Sequence, residues 1–161
     1  MRAACTIVVT AGLLCPRTSL AQKTARFEAS DKTAIEQLLD RYVEAYSAKD
    51  YTKLREQLQA PFVRFPAGWE VLETLDDLMK FYREQRDALD EQSYARSQFV
   101  RSRITPLAGD RALVDRTYRR YRKDGTLLLE AGAVYVVCKS SGAWKVCGLF
   151  PRDLEGFGKV Y

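Results

Sequence analysis

The sequence predicts an α+β fold, with three N-terminal helices packed on one face of a curved antiparallel sheet. Three observations carry this. Apolar residues recur at steps of three and four through the first half of the chain. From about Ala95 the pattern switches to an alternation of period two. The alternating stretches are separated by Ala108-Gly109-Asp110, Asp124-Gly125 and Ser140-Ser141-Gly142, all turn-forming combinations. Helices followed by a block of hairpin-linked strands must bury one sheet face beneath those helices.

Residues 1–21 read as an export signal rather than as part of this fold. Arg2 supplies a positive start, Ala3 to Leu14 an apolar run, and Ser19-Leu20-Ala21 a small-residue cleavage site. The apolar run is too short for a membrane-spanning helix, so no membrane association is expected once it is removed. Cleavage after Ala21 leaves 140 residues, enough for one domain with a sizeable core. Losing Arg2 and Arg17 lowers the net charge from +5 to +3. The remaining arginines alternate along strands among acidic neighbours, which argues against a nucleic-acid partner. Residues 22–30 form a polar linker, 31–150 the domain and 151–161 a tail lying over the surface.

The first helix is expected from Asp31 to Ala48. Ile35, Leu38, Leu39, Tyr42, Val43 and Tyr46 fall on one stripe. Ser30 or Asp31 caps it, or Thr33 with Glu36 forms a capping box. A short second helix follows Asp50, buries Tyr51, Leu54 and Leu58, and stops at Pro61. Phe62–Phe65 and Trp69–Leu72 make a short hairpin. A third helix starts at Thr74, with Asp77 completing a capping box. Its stripe is Leu75, Leu78, Met79, Tyr82, Arg86 and Leu89.

The sheet can be read by register. A two-residue loop at Asp124-Gly125 sets Arg122 against Leu127, Arg120 against Leu129, Tyr118 against Ala131, Arg116 against Ala133 and Val114 against Tyr135. A loop at Ser141-Gly142 sets Trp144 against Lys139, Val146 against Val137 and Gly148 against Tyr135. Alternation then places Val114, Arg116, Tyr118, Ala133, Tyr135, Val146, Gly148 and Phe150 on the inner face. An earlier strand, from Ala95 to Thr105, pairs Arg103 with Asp115, Ser102 with Arg116 and Val100 with Tyr118. Cys147 becomes the diagonal neighbour of Cys138, roughly 7–8 Å away and near the limit of disulfide geometry. Two buried free thiols are the favoured expectation, and a disulfide is the alternative.

Several segments together resemble the SnoaL-like and ketosteroid isomerase-like members of the nuclear transport factor 2-like superfamily. They are Ala34 to Tyr42 continuing to Tyr46, Lys49-Asp50-Tyr51, Ala131 to Val137, and Gly142 to Val146. The resemblance implies a cone-shaped α+β fold whose sheet wraps the first helix and leaves a pocket at the open end. It also implies a homodimer paired through the outer sheet face. Members include enzymes, ligand carriers and subunits that only dimerise, so fold does not choose among them. The isomerases place an aspartate base on the early strands. Here that region reads Phe62-Val63-Arg64-Phe65, with no acid until Glu70, so the base does not carry over.

The absence of histidine removes imidazole-based triads and the usual imidazole metal sites. The chain also lacks a Gly-rich phosphate loop, and no cofactor is expected. The most pointed residue is Arg116, facing inward among small neighbours. It is expected either to pair with Glu70, Asp77 or another acid at the cone mouth, or to clamp a ligand carboxylate or phosphate. Tyr42, Tyr46, Tyr118, Tyr135 and Trp69 are expected to line the cavity, with Ser102 beside Arg116 as a weaker candidate. These residues suggest a small, partly apolar ligand, anionic if Arg116 clamps it. The competing expectation is a noncatalytic domain that binds a copy of itself or a protein partner through its outer sheet.

Overall fold

The computed structural model describes residues 26–65 and 68–158. The expected export signal and part of the Pro66-Ala67-Gly68 turn lie outside them. Three helices, α1 (Ala29–Ala48), α2 (Tyr51–Glu56) and α3 (Leu75–Asp90), pack on a curved, unclosed six-stranded sheet. Its strands are β1 (Leu58–Arg64), β2 (Glu70–Leu72), β3 (Tyr94–Ala108), β4 (Arg111–Arg122), β5 (Leu127–Ser140) and β6 (Ala143–Arg152). Their spatial order is β2-β1-β6-β5-β4-β3, antiparallel except where β1 runs parallel to β6. The predicted α+β architecture is therefore the observed one.

Helix α1 buries Ile35, Leu38, Leu39, Tyr42 and Tyr46 as its periodicity requires, together with Ala45. Its cap differs from expectation. Glu28 is the N-cap and Asp31 the third helical residue, each side chain bonding the other's backbone N–H. Asp31 does more than cap. It is buried, and its Oδ1 accepts from Lys139 Nζ at 2.7 Å and Trp144 Nε1 at 3.0 Å. These bonds lower its pKa to about 2, the Lys139 bond contributing most. One carboxylate thus ties the start of α1 to the β5–β6 turn. Helix α3 begins at Thr74 as predicted, its hydroxyl accepting from the Asp77 N–H. Helix α2 is shorter than predicted, because Leu58 and Pro61 belong to β1.

The central registers hold where they matter. Arg116 faces Ala133, Tyr118 faces Ala131, Ser102 faces Arg116 and Arg103 faces Asp115. At the Asp124-Gly125 turn, however, the loop is three residues long. Arg122 N–H bonds Thr126 O at 2.9 Å, and Gly125 adopts φ +85°, which favours glycine. A bulge between Arg120 and Tyr121 absorbs the extra residue, so Tyr121 rather than Arg122 meets Leu127. A bulge after Phe99 sets that residue, not Val100, against Tyr118. A third bulge, beside Cys147, puts Leu149 opposite Tyr135 and moves Gly148 and Phe150 off the inner face. Strand alternation cannot foresee these, since each inserts one residue and inverts every side chain beyond it.

The bulge also brings Cys147 into bonding distance of Cys138, and the two form a disulfide on the outer face. This overturns the expectation of free thiols. Elsewhere on the sheet, residues 153–158 follow β6 through a single helical turn, Leu154–Gly156, and return to β4. Arg152 Nε donates to Asp115 Oδ1 at 2.5 Å and Nη2 to Thr117 Oγ1 at 3.1 Å. Gly158 N–H reaches the other Asp115 oxygen at 2.6 Å. Gly132 makes room for this: a Cβ there would lie 2.6 Å from Arg152 Cζ. The other half of the outer face is open and carries Phe65, Trp69 and Phe150 as an edge-on aromatic cluster.

Candidate functional site

A cavity of about 110 Å³ lies between α1 and the inner face of the sheet. Helix α1 contributes Tyr42, Val43 and Tyr46, and α3 contributes Gln85. Strand β3 supplies Ser97 and Phe99, β4 Tyr118 and Arg120, β5 Ala133 and Tyr135, and β6 Leu149 and Pro151. The helical residues recur at three and four, the strand residues at two. Both periods aim at one space because the sheet curves around α1.

Most of the polar groups lining this space already have protein partners. The Tyr42 and Tyr82 hydroxyls bond each other at 3.0 Å, and the Tyr46 hydroxyl donates to Gln85 Oε1 at 2.8 Å. Ser97 Oγ is bonded to Tyr94 at 2.7 Å, and its N–H to Ser47 Oγ at 3.1 Å. Burial pushes the Tyr42, Tyr46, Tyr82 and Tyr135 phenols upward from their ordinary pKa. The positive charge of Arg120 opposes the shift at Tyr42, Tyr46 and Tyr135 without reversing it. These phenols stay neutral at physiological pH and act as hydrogen-bond donors or acceptors, not as phenolate bases.

Arg120 is the exception. It is the one charged residue among the twelve that line the cavity. Its Nε is buried without a hydrogen-bond partner, and its guanidinium lies 5.2 Å from the Tyr118 ring centroid. Among the described residues no carboxylate comes within ion-pair distance of it; the neighbouring acid, Glu130, is held by Arg119 at 2.7 Å on the outer face. The Tyr118 and Tyr135 hydroxyls make no hydrogen bond to other described residues. One unpaired cation and two available phenols therefore share the cavity.

Of the side chains expected from sequence, Tyr42, Tyr46, Tyr118 and Tyr135 do meet around this space. Arg116 does not line it. Its guanidinium sits behind the ring of Phe99, 4.2 Å from the centroid, and pairs with Asp40 Oδ1 at 3.3 Å. Neither named acid is its partner: Glu70 is bonded to Arg64 across the β1–β2 hairpin, and Asp77 is held by Thr74. Asp40 comes from α1, packed over the sheet, which the strand register alone could not reveal. Burial lowers the Arg116 pKa, and Asp40 works against that. Trp69 is 76% exposed on the opposite sheet face, 5.3 Å from Phe65 and 5.8 Å from Phe150. Ser102 is exposed on β3, in a separate groove between α1 and β3 with Lys32, Glu36 and Arg103. Arg120 itself was legible, since it follows Arg116 and Tyr118 at steps of two on the inner face. Phe99 and Leu149 were not, because bulges put them there.

A family model for an NTF2-like protein, DUF6841, matches residues 30–154, most of the chain. The chain belongs to this NTF2-like family. No curated protein matches its sequence. Among solved structures similar to it is a protein of unknown function with a cystatin-like fold from Nostoc punctiforme PCC 73102. That structure is 15% identical with a TM-score of 0.66, covering 78% of this chain and 92% of its own. An NTF2-like protein from Novosphingobium aromaticivorans is 16% identical with a TM-score of 0.64, over 80% and 85% of the two chains. A candidate ketosteroid isomerase from Shewanella frigidimarina NCIMB 400 is 16% identical with a TM-score of 0.60, over 74% and 94%. At these identities the likeness is one of fold. The NTF2-like cone accounts for the position of the cavity, while its chemistry rests on the side chains of this chain.

Proposed function

We propose that this NTF2-like protein is exported and binds a small anionic molecule, partly apolar, in the cavity beside Arg120. The observation that carries the reading is the half-buried Arg120 guanidinium, the sole charge in the lining and one without a carboxylate partner among the described residues. A cation in partly apolar surroundings is stabilised by an anion that uses its donors. The rings of Tyr42, Phe99 and Tyr135 supply the apolar walls, and the Tyr118 and Tyr135 hydroxyls supply further donors. The cavity is small beside the roughly 300–1,000 Å³ of drug-sized sites, which favours a ligand near the size of one ring. The lining offers no carboxylate and no phenolate, so it supports binding and charge stabilisation more directly than proton abstraction. The Cys138–Cys147 bond suits an oxidising compartment and supports export.

Titration calorimetry with benzoate, benzyl alcohol and benzamide tests this. Benzoate is expected to bind on the order of tenfold or more tighter than either neutral analogue, the worth of a charge-assisted contact. Arg120→Met should erase that preference while the far-UV spectrum stays unchanged. Equal binding of all three, or a preference that survives in Arg120→Met, would sink the reading.

A further inference from the structure

The cavity ends against Phe99, and Arg116 lies directly behind that ring. Arg116 is 4% exposed, yet among the described residues its only carboxylate contact is a single 3.3 Å approach to the exposed Asp40, and its Nε has no partner there. This is poor compensation for a buried guanidinium. Such groups are stabilised by close, often bidentate, pairing, and a partner surrounded by water exchanges readily. Two residues that neighbour Arg116 across the ladder or against Phe99, Ala133 and Tyr135, already line the cavity. The Phe99 ring touches both the cavity and Arg116: it lines the first on one side and carries the Arg116 guanidinium 4.2 Å from its centroid.

Phe99 is placed where a ring can turn. It is half-buried, belongs to the edge strand β3, and immediately precedes a bulge in the β3–β4 pairing. Phe99 packs at the margin of the core, outside its fully buried residues, to which β3 contributes Tyr94. With the Phe99 ring turned aside, Arg116 and Arg120 would face one continuous space from the same side of β4. They flank Tyr118, with backbone positions four residues and so roughly 13 Å apart.

We propose that Phe99 is a movable partition, and that the full site takes a molecule with an anionic group at each end, such as an α,ω-dicarboxylate. One carboxylate pairs with Arg120. The other displaces Asp40 from Arg116 once Phe99 has turned. This rests on the Arg120 reading and extends it to a ligand class. It assigns Arg116 as a second anion site, Phe99 as the residue that controls access to it, and Asp40 as a resident competitor.

Calorimetry with suberate and adipate, against octanoate and hexanoate, tests the extension in wild type, Asp40→Asn and Arg116→Met. Suberate or adipate should bind wild type on the order of tenfold tighter than the monocarboxylate of equal length. In Asp40→Asn, a surface change on α1, the dicarboxylate should tighten by a further several-fold with the monocarboxylate unmoved. In Arg116→Met the advantage should vanish. Arg116→Met alone could fail by unfolding, and Asp40→Asn provides the independent readout. If benzoate binds through Arg120 but dicarboxylates gain nothing over monocarboxylates, the partition is overturned and the Arg120 reading stands. If no carboxylate binds at all, both are overturned.

Discussion

A methyl group at Gly132 is expected to destabilise the protein through a residue far along the chain. A Cβ there would fall 2.6 Å from Arg152 Cζ and 3.0 Å from its Cγ. A free surface arginine would simply move. Arg152 is held by Asp115 at 2.5 Å and Thr117 at 3.1 Å, with Arg152 and Asp115 11% and 13% exposed. Breaking a fully buried pair costs about 3–5 kcal/mol. Here the arginine can swing into water and Asp115 keeps the Gly158 N–H, so about 2 kcal/mol is the better figure. Alanine in a strand offsets about 0.5–1 kcal/mol of this relative to glycine. Gly132→Ala should therefore cost a net of roughly 1–1.5 kcal/mol. Urea unfolding of Gly132→Ala, Arg152→Ala and the double variant isolates the coupling. In the Arg152→Ala background the methyl should be neutral or slightly stabilising. The same cost in both backgrounds would refute the claim that Gly132 exists to seat Arg152.

Two further outcomes follow from other parts of the molecule. The depressed pKa of Asp31, about 2 against an ordinary 3.8, contributes stability that is complete only well above the unfolded value, from about pH 5, and is lost as pH falls through about 2. That contribution is at most about 2.5 kcal/mol. Asp31→Asn should lower stability at neutral pH and flatten the acid limb of the stability profile; an unchanged acid limb would refute it. On the open half of the outer sheet, Phe65, Trp69 and Val71 are all more than 40% exposed around the edge of Phe150. A contiguous apolar patch of this kind favours homodimerisation through the sheet as a second reading of the protein's role. Sedimentation velocity should then show a concentration-dependent dimer that Trp69→Ser weakens at least severalfold, whereas a monomer at every concentration would exclude it.

The sequence by itself determined the elements and most of their pairing. Steps of three and four in α1 and α3 name the buried stripe, because a helix turns once per 3.6 residues whatever it packs against. The match of Arg116 to Ala133 follows from a glycine-containing turn and from strand alternation, both local properties. Even there the loop is one residue longer than the turn sequence predicts, and a bulge restores the register. Tertiary structure decided the rest. Bulges after Phe99 and beside Cys147 brought Phe99 and Leu149 to the cavity, and the second also closed the disulfide. Helix α1, crossing above β4, gave Arg116 the partner Asp40 and left Arg120 in the open space. Arg116 and Arg120 share a strand face and look alike in sequence. What separates them is an aromatic ring from another strand and a carboxylate from a helix, and only the packing of distant segments brings those together.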